Sequence, residues 1–311
     1  MTRVLRRSVL GGAVALASSP FVLRSALSAP AAELWQRWAA NDPVSRTVID
    51  HQAWADFLHR YLVQEADGIN RLRYSNVTAS DKQILDRYVE RMSQVGVPSL
   101  NQGEQFAYWV NLYNALTVKI VLDHYPVASI REISLGGGSL LPNFITGGSG
   151  PWAAKLIQIQ GEPVGLDDIE HRILRPLLKD NRIHYAVNCA SIGCPTLMSA
   201  PYTAANFFAM LDQGARLYVN HPRGVRVNSN GSLTVSTIYR WYQQDFGGNW
   251  QGVLAHLRLY ANSATAQMLA PFETIADDAY DWRLNDVASY ANTAQPAARD
   301  AKDLAPAAQR N

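Results

Sequence analysis

The stretch IHYAVNCASIGCP, residues 183–195, holds both cysteines of the chain. His184 stands five residues before Cys189, and Cys194 stands five after it. Several chemistries fit these residue types. A thiolate beside an imidazole makes a nucleophile for acyl transfer. Two nearby cysteines in an oxidising compartment form a disulfide. A strained or exposed pair exchanges with other thiols. Metal binding fits poorly, because zinc knuckles place their cysteines two to four residues apart. No metal or organic cofactor is expected.

The elements that carry these residues limit which of them can meet. Residues 182–189 read as a strand, in which alternate side chains share a face. His184 and Cys189 then point to opposite faces, so a base for Cys189 should come from another element unless the strand bulges. The first choice is His171, on a helix read over residues 166–178. There Leu166, Ile169, Ile173, Leu174, Leu177 and Leu178 form one apolar stripe, with Glu170 in its middle and His171 at its edge. A carboxylate in that place must be paired, hydrogen-bonded or protonated. Alternatively, Glu170 closes a capping box with Asp167-Asp168 and stays outside.

A second helix, FAYWVNLYNALTVKIVLDHYP, is apolar nearly all round, with a narrow strip near Ala115 and Lys119 left for water. It reads as a central helix. Asn111 and Asn114 fall inside its apolar face. Such amides either satisfy a neighbouring backbone segment or orient a ligand or an imidazole. Asn188, next to Cys189, is a further candidate donor.

Around these segments the fold class is α+β: a mostly helical single domain with a small β-sheet around a central buried helix. Residues 32–97 read as helical, 98–245 as the core domain, 246–291 as a helical extension of that core, and 292–311 as a disordered tail. Asn230-Gly231 marks a hairpin between Val225–Val227 and Leu233–Val235. The Gly-rich residues 134–154, with Phe144 and Trp152, read as a flap.

Residues 1–31 read as a signal peptide of the twin-arginine type, with Arg6-Arg7 before a short apolar run and small-residue cleavage sites after it. The run is short for a membrane span. The expected location is therefore the periplasm, with no membrane span once the leader is removed. Loss of Arg3, Arg6, Arg7 and Arg24 takes the formal charge from +2 to −2. That balance excludes the electrostatic footprint of a nucleic-acid binder.

FAYWVNLYNALTV, LDDIEHRILR, RIHYAVNCASIGCPTL, STIYRWYQQDF and YDWRLN together resemble the bacterial and plant family catalogued as domain of unknown function 547. The resemblance runs from about Pro98 to Asp245, with a looser echo to Asn285. It implies that Asn111, Asn114, Glu170, His171, His184, Asn188, Cys189 and Cys194 occupy the family's motif positions. It implies no activity. Some members look like distant relatives of papain-like thiol enzymes, although the order of a cysteine helix followed by a histidine strand is absent here.

The residues then support two main functional readings. In the first, the chain is a thiol-dependent hydrolase or acyl transferase. Cys189 is the nucleophile, His171 the base, Glu170 the orienting carboxylate, and Asn188 or Asn114 the donor to the developing oxyanion, with His184 a further catalytic candidate. In the second it is a non-catalytic periplasmic binding module. A Cys189–Cys194 disulfide closes the rim of a groove for a small molecule or peptide. A thiol–disulfide redox protein is the third reading.

Overall fold

Asn101 starts the element around which the rest is packed. Its side-chain oxygen accepts the Glu104 N–H at 3.0 Å, which caps the helix α3, Gln102–His124. Every residue from Glu104 to Val118 is buried. This includes Ala115, so the water-facing strip is narrower than expected. Lys119 alone keeps that role, in ion pairs with Asp86 and Asp123.

The structure, a computed structural model, describes residues 29–135 and 150–288. Residues 1–28 of the expected leader, the flap around Phe144 and the C-terminal tail lie outside these residues. Among the described residues no helix is long and apolar enough to cross a membrane.

Before α3 come α1, Gln52–Tyr61, and α2, Ala79–Ser93, capped by Thr78. The region is not helical throughout. Between the two helices the chain forms a hairpin, β1 Leu62–Gln64 with β2 Asn70–Leu72, because Gly68 takes the left-handed conformation that the turn needs. After α3, β3 Ile157–Ile159 and β4 Glu162–Val164 form a small hairpin. Further on, α5 is Phe207–Val219. A three-stranded sheet then orders β5 Val225–Val227, β6 Leu233–Ser236 and β7 Asp277–Ala279. β5 and β6 are antiparallel, and β7 joins in parallel. Short α6, Ile238–Trp241, with α7, Trp250–Tyr260, and α8, Ser263–Leu269, completes the mostly helical α+β domain.

Two apolar clusters result, one around α3 and one between the sheet and α5–α7. Residues 181–197 run along the seam between them. Ile183 and Val187 face the first cluster and Tyr185 the second. A strand would put Ile183, Tyr185 and Val187 on one face, and the segment is not a strand. Asn181–Tyr185 is a 3-10 turn. Asp180 caps it by accepting the Arg182 N–H, and the Ala186 and Val187 N–H groups bond back to Ile183. The backbone is satisfied locally, so no partner strand is needed.

The predicted helix over 166–178 is present with an unexpected interior. Asp168–Leu174 is a π-helical segment that runs into α4, Arg175–Leu178. The capping is done by Asp168, whose carboxylate accepts the Gly165 N–H at 2.9 Å, not by Glu170. An amino-terminal segment laces across this helix. Glu33 and Trp35 donate to the carbonyls of His171 and Arg172, and Ala29 donates to Trp241.

The buried amides of α3 are clamps. Asn111 donates to Tyr202 O and accepts from Tyr202 N–H. Asn114 donates to Ala186 O at 2.9 Å and accepts from Asn188 N–H at 2.8 Å. Replacing Asn114 with Ala leaves two buried backbone groups unpaired. It should cost about 2–3 kcal/mol in urea unfolding, and loss of less than about 0.5 kcal/mol would show that water takes over these bonds.

Candidate functional site

Asn188 continues the clamp into the cysteine loop. Its side-chain oxygen accepts Ala190 N–H at 2.8 Å and its amide donates to Pro195 O at 2.7 Å, so it ties the two ends of the loop together. The amide donors of Asn111, Asn114 and Asn188 are thus committed to backbone carbonyls. The other edge of the loop is held by the YDWRLN segment. Ile192 N–H bonds Arg283 O, Gly193 N–H bonds Asp281 O, and Asn285 N–H bonds Ala190 O. Gly193 is required here, since a Cβ would lie 2.7 Å from the Asp281 nitrogen.

This frame brings the two sulfurs together as free thiols, 2.7 Å apart. The disulfide expected as the rival state is not formed. Cys189 Sγ also meets the Tyr280 hydroxyl at 3.0 Å and Ser191 Oγ at 3.3 Å. The Cys189 N–H donates to Cys194 Sγ at 3.0 Å. That bond makes the pair unequal. Burial and the neighbouring sulfur push the Cys189 thiol well above its ordinary value. Burial also opposes ionisation of Cys194, but donors from Cys189 and Tyr280 outweigh it and bring Cys194 down to about 7. The pair thus shares one proton near neutrality, with the charge on Cys194. The thiol favoured as nucleophile by its electrostatics is therefore Cys194 rather than Cys189. Among the described residues no imidazole is a hydrogen-bond partner of either sulfur.

The sulfurs open onto a cleft of about 540 Å³, counting the space continuous with solvent. Trp152, Trp241, Trp282 and Tyr280 pack on one another as an aromatic wall. Glu170, His171, His184 and Asp167 also line the cleft. The π-helical segment explains why neighbours Glu170 and His171 both face inward: a wider turn lets consecutive side chains share a face, as such bulges do at functional sites.

The polar floor is built on a buried ion pair. Arg175 grips Asp245 with both arms of its fork, at 2.7 and 3.0 Å. It also donates to His171 Nδ1 at 3.2 Å and to Pro30 O at 2.6 Å. Asp245 in turn receives His184 Nε2 at 2.8 Å, and the Tyr242 ring stacks on His184 at 3.8 Å. On its other side His184 Nδ1 faces Glu170 Oε1 at 3.6 Å, too far for a hydrogen bond. This nitrogen is buried without a partner.

These contacts set the protonation states. Burial works against ionised Asp245, but His184 and Arg175 hold its carboxyl far below the ordinary range. Burial likewise opposes ionised Glu170, yet His171, His184 and Tyr242 bring it down to about 2. Tyr113 adds a hydroxyl at 3.3 Å. Burial and the nearby Arg175 lower His171 to about 4 despite Glu170. His171 is therefore neutral at neutral pH, and the Glu170 anion there leans on the facing His184 and the tyrosine hydroxyls. With Nδ1 engaged by Arg175, the other nitrogen of His171 carries its proton toward Asp167, 3.6 Å away. His171 is thus ill-suited to take a proton from a thiol. Asp167 goes the opposite way. Burial, then Glu170 and Asp168, raise it to about 7.

The structure therefore gathers Glu170, His171, His184, Cys189 and Cys194 at one cleft and leaves Asn111, Asn114 and Asn188 in the scaffold. It adds Asp167, Arg175, Tyr242, Asp245 and Tyr280. Asp245 and Tyr280 sit inside the motifs STIYRWYQQDF and YDWRLN, where a polar group among aromatic residues was the available signal.

Residues 97–219 match the family described as "Protein of unknown function, DUF547". The match covers the α3 amides, the π-helical segment and the cysteine loop, but not Asp245 or Tyr280. No curated protein and no solved structure matches the chain.

The Asp167 shift predicts a pH effect. A carboxyl raised in the folded state adds stability below its ordinary value of 3.8 and loses it as pH climbs through about 7. Asp167→Asn should match the parent near pH 4 and exceed its stability by about 1–3 kcal/mol at pH 8, allowing for partial exposure of the side chain. Equal stability across that range would mean that Asp167 ionises normally.

Proposed function

We propose that this cleft is a thiolate active site for acyl transfer or hydrolysis, with Cys194 as nucleophile and Cys189 as the residue that holds its charge. The observation that carries this reading is the thiol pair with one proton to share, opening beside a carboxyl that stays protonated near neutrality.

In this reading the Cys194 thiolate attacks a carbonyl carbon, and a carbon–sulfur bond forms as the bond to the leaving group breaks. Asp167 supplies the leaving group's proton. Water then cleaves the thioester, returning its proton to Asp167 and the thiolate to Cys194. Glu170, His184 and Asp245 act as a fixed charge array that orients the substrate. The aromatic wall binds its apolar part. The twin-arginine leader places this chemistry, as we read it, in the periplasm.

A second reading, thiol–disulfide exchange, is favoured by the 2.7 Å separation of the sulfurs. There a substrate disulfide would take two electrons and the pair's one proton, leaving as a thiol and a thiolate that water protonates, while the Cys189–Cys194 bond forms.

Alkylation by iodoacetamide and turnover of p-nitrophenyl acetate separate the two. The acyl-transfer reading expects alkylation to rise with a midpoint near pH 7 and Cys194→Ser to lower ester turnover at least about a hundredfold. Asp167→Asn should lower turnover about tenfold or more while leaving alkylation fast. Alkylation that rises only near the ordinary thiol range, with unchanged turnover in Cys194→Ser, would falsify the proposal. Rapid formation of a Cys189–Cys194 bond by a small disulfide, without ester turnover, would favour exchange.

A further inference from the structure

Behind the cysteine loop lies a second, open groove of about 1680 Å³. Tyr280 and Trp282 line both this groove and the thiol cleft, so the two spaces share one aromatic wall. The groove is rich in arginine: Arg131, Arg223, Arg226 and Arg283 line it, against the acids Glu132 and Asp281.

Both acids are already engaged. Arg283 forks onto Asp281, and Glu132 accepts the Ala128 N–H. Glu132 keeps its charge under that bond, and four arginines against two acids make the lining positive in formal charge. Arg223 reaches under the loop to Ile192 O at 3.2 Å and Thr196 Oγ1 at 2.5 Å, and its Nε is buried without a partner. Arg226 lines the groove from β5. Guanidinium forks match the planar oxygens of carboxylate and phosphate, and they do so best beside low-dielectric walls.

We propose that this groove is an anion subsite that takes an oxyanion group, carboxylate or phosphate, of the molecule whose reactive end reaches the thiols. The assignment rests on the thiolate reading above for what happens at that reactive end. It makes the substrate class an acidic one: an aromatic or acyl body along Tyr280 and Trp282, with a charged group on the arginines. Arg226 would be the principal binding residue, since Arg223 is also part of the loop's support.

Two measurements test it. Isophthalate and phenyl phosphate, titrated calorimetrically, probe the groove without involving a thiol. At least one should bind, and Arg226→Glu should weaken it about tenfold or more, whereas Arg87→Glu on the remote surface of α2 should not. Whichever binds more tightly identifies the oxyanion. No binding of either, or equal loss in both variants, would overturn the subsite. The second measurement compares the anionic disulfide dithiobis(nitrobenzoate) with neutral dithiodipyridine as thiol reagents. Arg226→Glu should lower the anionic-to-neutral rate ratio about fivefold or more. An unchanged ratio would sever the groove from the thiols. Thiols inert to both reagents would sink the thiolate reading, while isophthalate or phosphate binding would still decide the subsite itself.

Discussion

A guanidinium taken out of water must be answered on every side, and the floor of the cleft is arranged around that requirement. Arg175 is 7% exposed. Its fork needs a carboxylate, which Asp245 supplies from far along the chain. Its remaining donor is shared between an imidazole and a carbonyl. Asp245 is then fixed well enough to hold His184, whose second nitrogen faces Glu170. Such a network is strongly coupled, because an unanswered charge inside the protein costs more than the pair contributes. The charge pattern of the floor and the packing of two apolar clusters are therefore one problem with one solution.

The other half of the cleft obeys a different constraint. Its loop has almost no regular structure, so each backbone group must find an individual partner. Asn188 closes the loop from within, Asn114 anchors its approach, and residues 280–285 pair along its outer edge. Tyr280 reaches the sulfurs because its neighbours are tied to the loop. Loop geometry and the electrostatics of Cys194 consequently have a common origin.

Much of this was legible in the sequence. α3 announces itself by apolar residues on nearly every face, and Asn111 and Asn114 stand out there as amides that must be satisfied. Glu170 is equally conspicuous on its apolar stripe, although a regular 3.6-residue wheel puts His171 only at the boundary. The π-helical segment, which no local propensity marks, turns it inward. The cysteine segment was misjudged for a physical reason. Apolar residues recur along it because two cores lie on opposite sides, and a 3-10 turn in a run buried from Ile183 to Asn188 carries the same residue types as a strand in a sheet. Asp245 and Tyr280 were hidden differently, since their roles depend on contacts with residues 61 and 91 positions away.

The amino-terminal lacing ties the floor of the cleft to a stretch of chain that is distant in sequence. Pro30 O accepts from Arg175, and Ala29 bonds the carbonyl of Trp241, so residues 29 and 30 are mortar in that floor. A chain beginning at Ala29 would keep the mortar. A chain beginning at Ala32 would lack it and leave the central guanidinium one acceptor short. How tightly the interior charges are seated therefore depends on three residues, and two forms differing by them would be distinct proteins electrostatically.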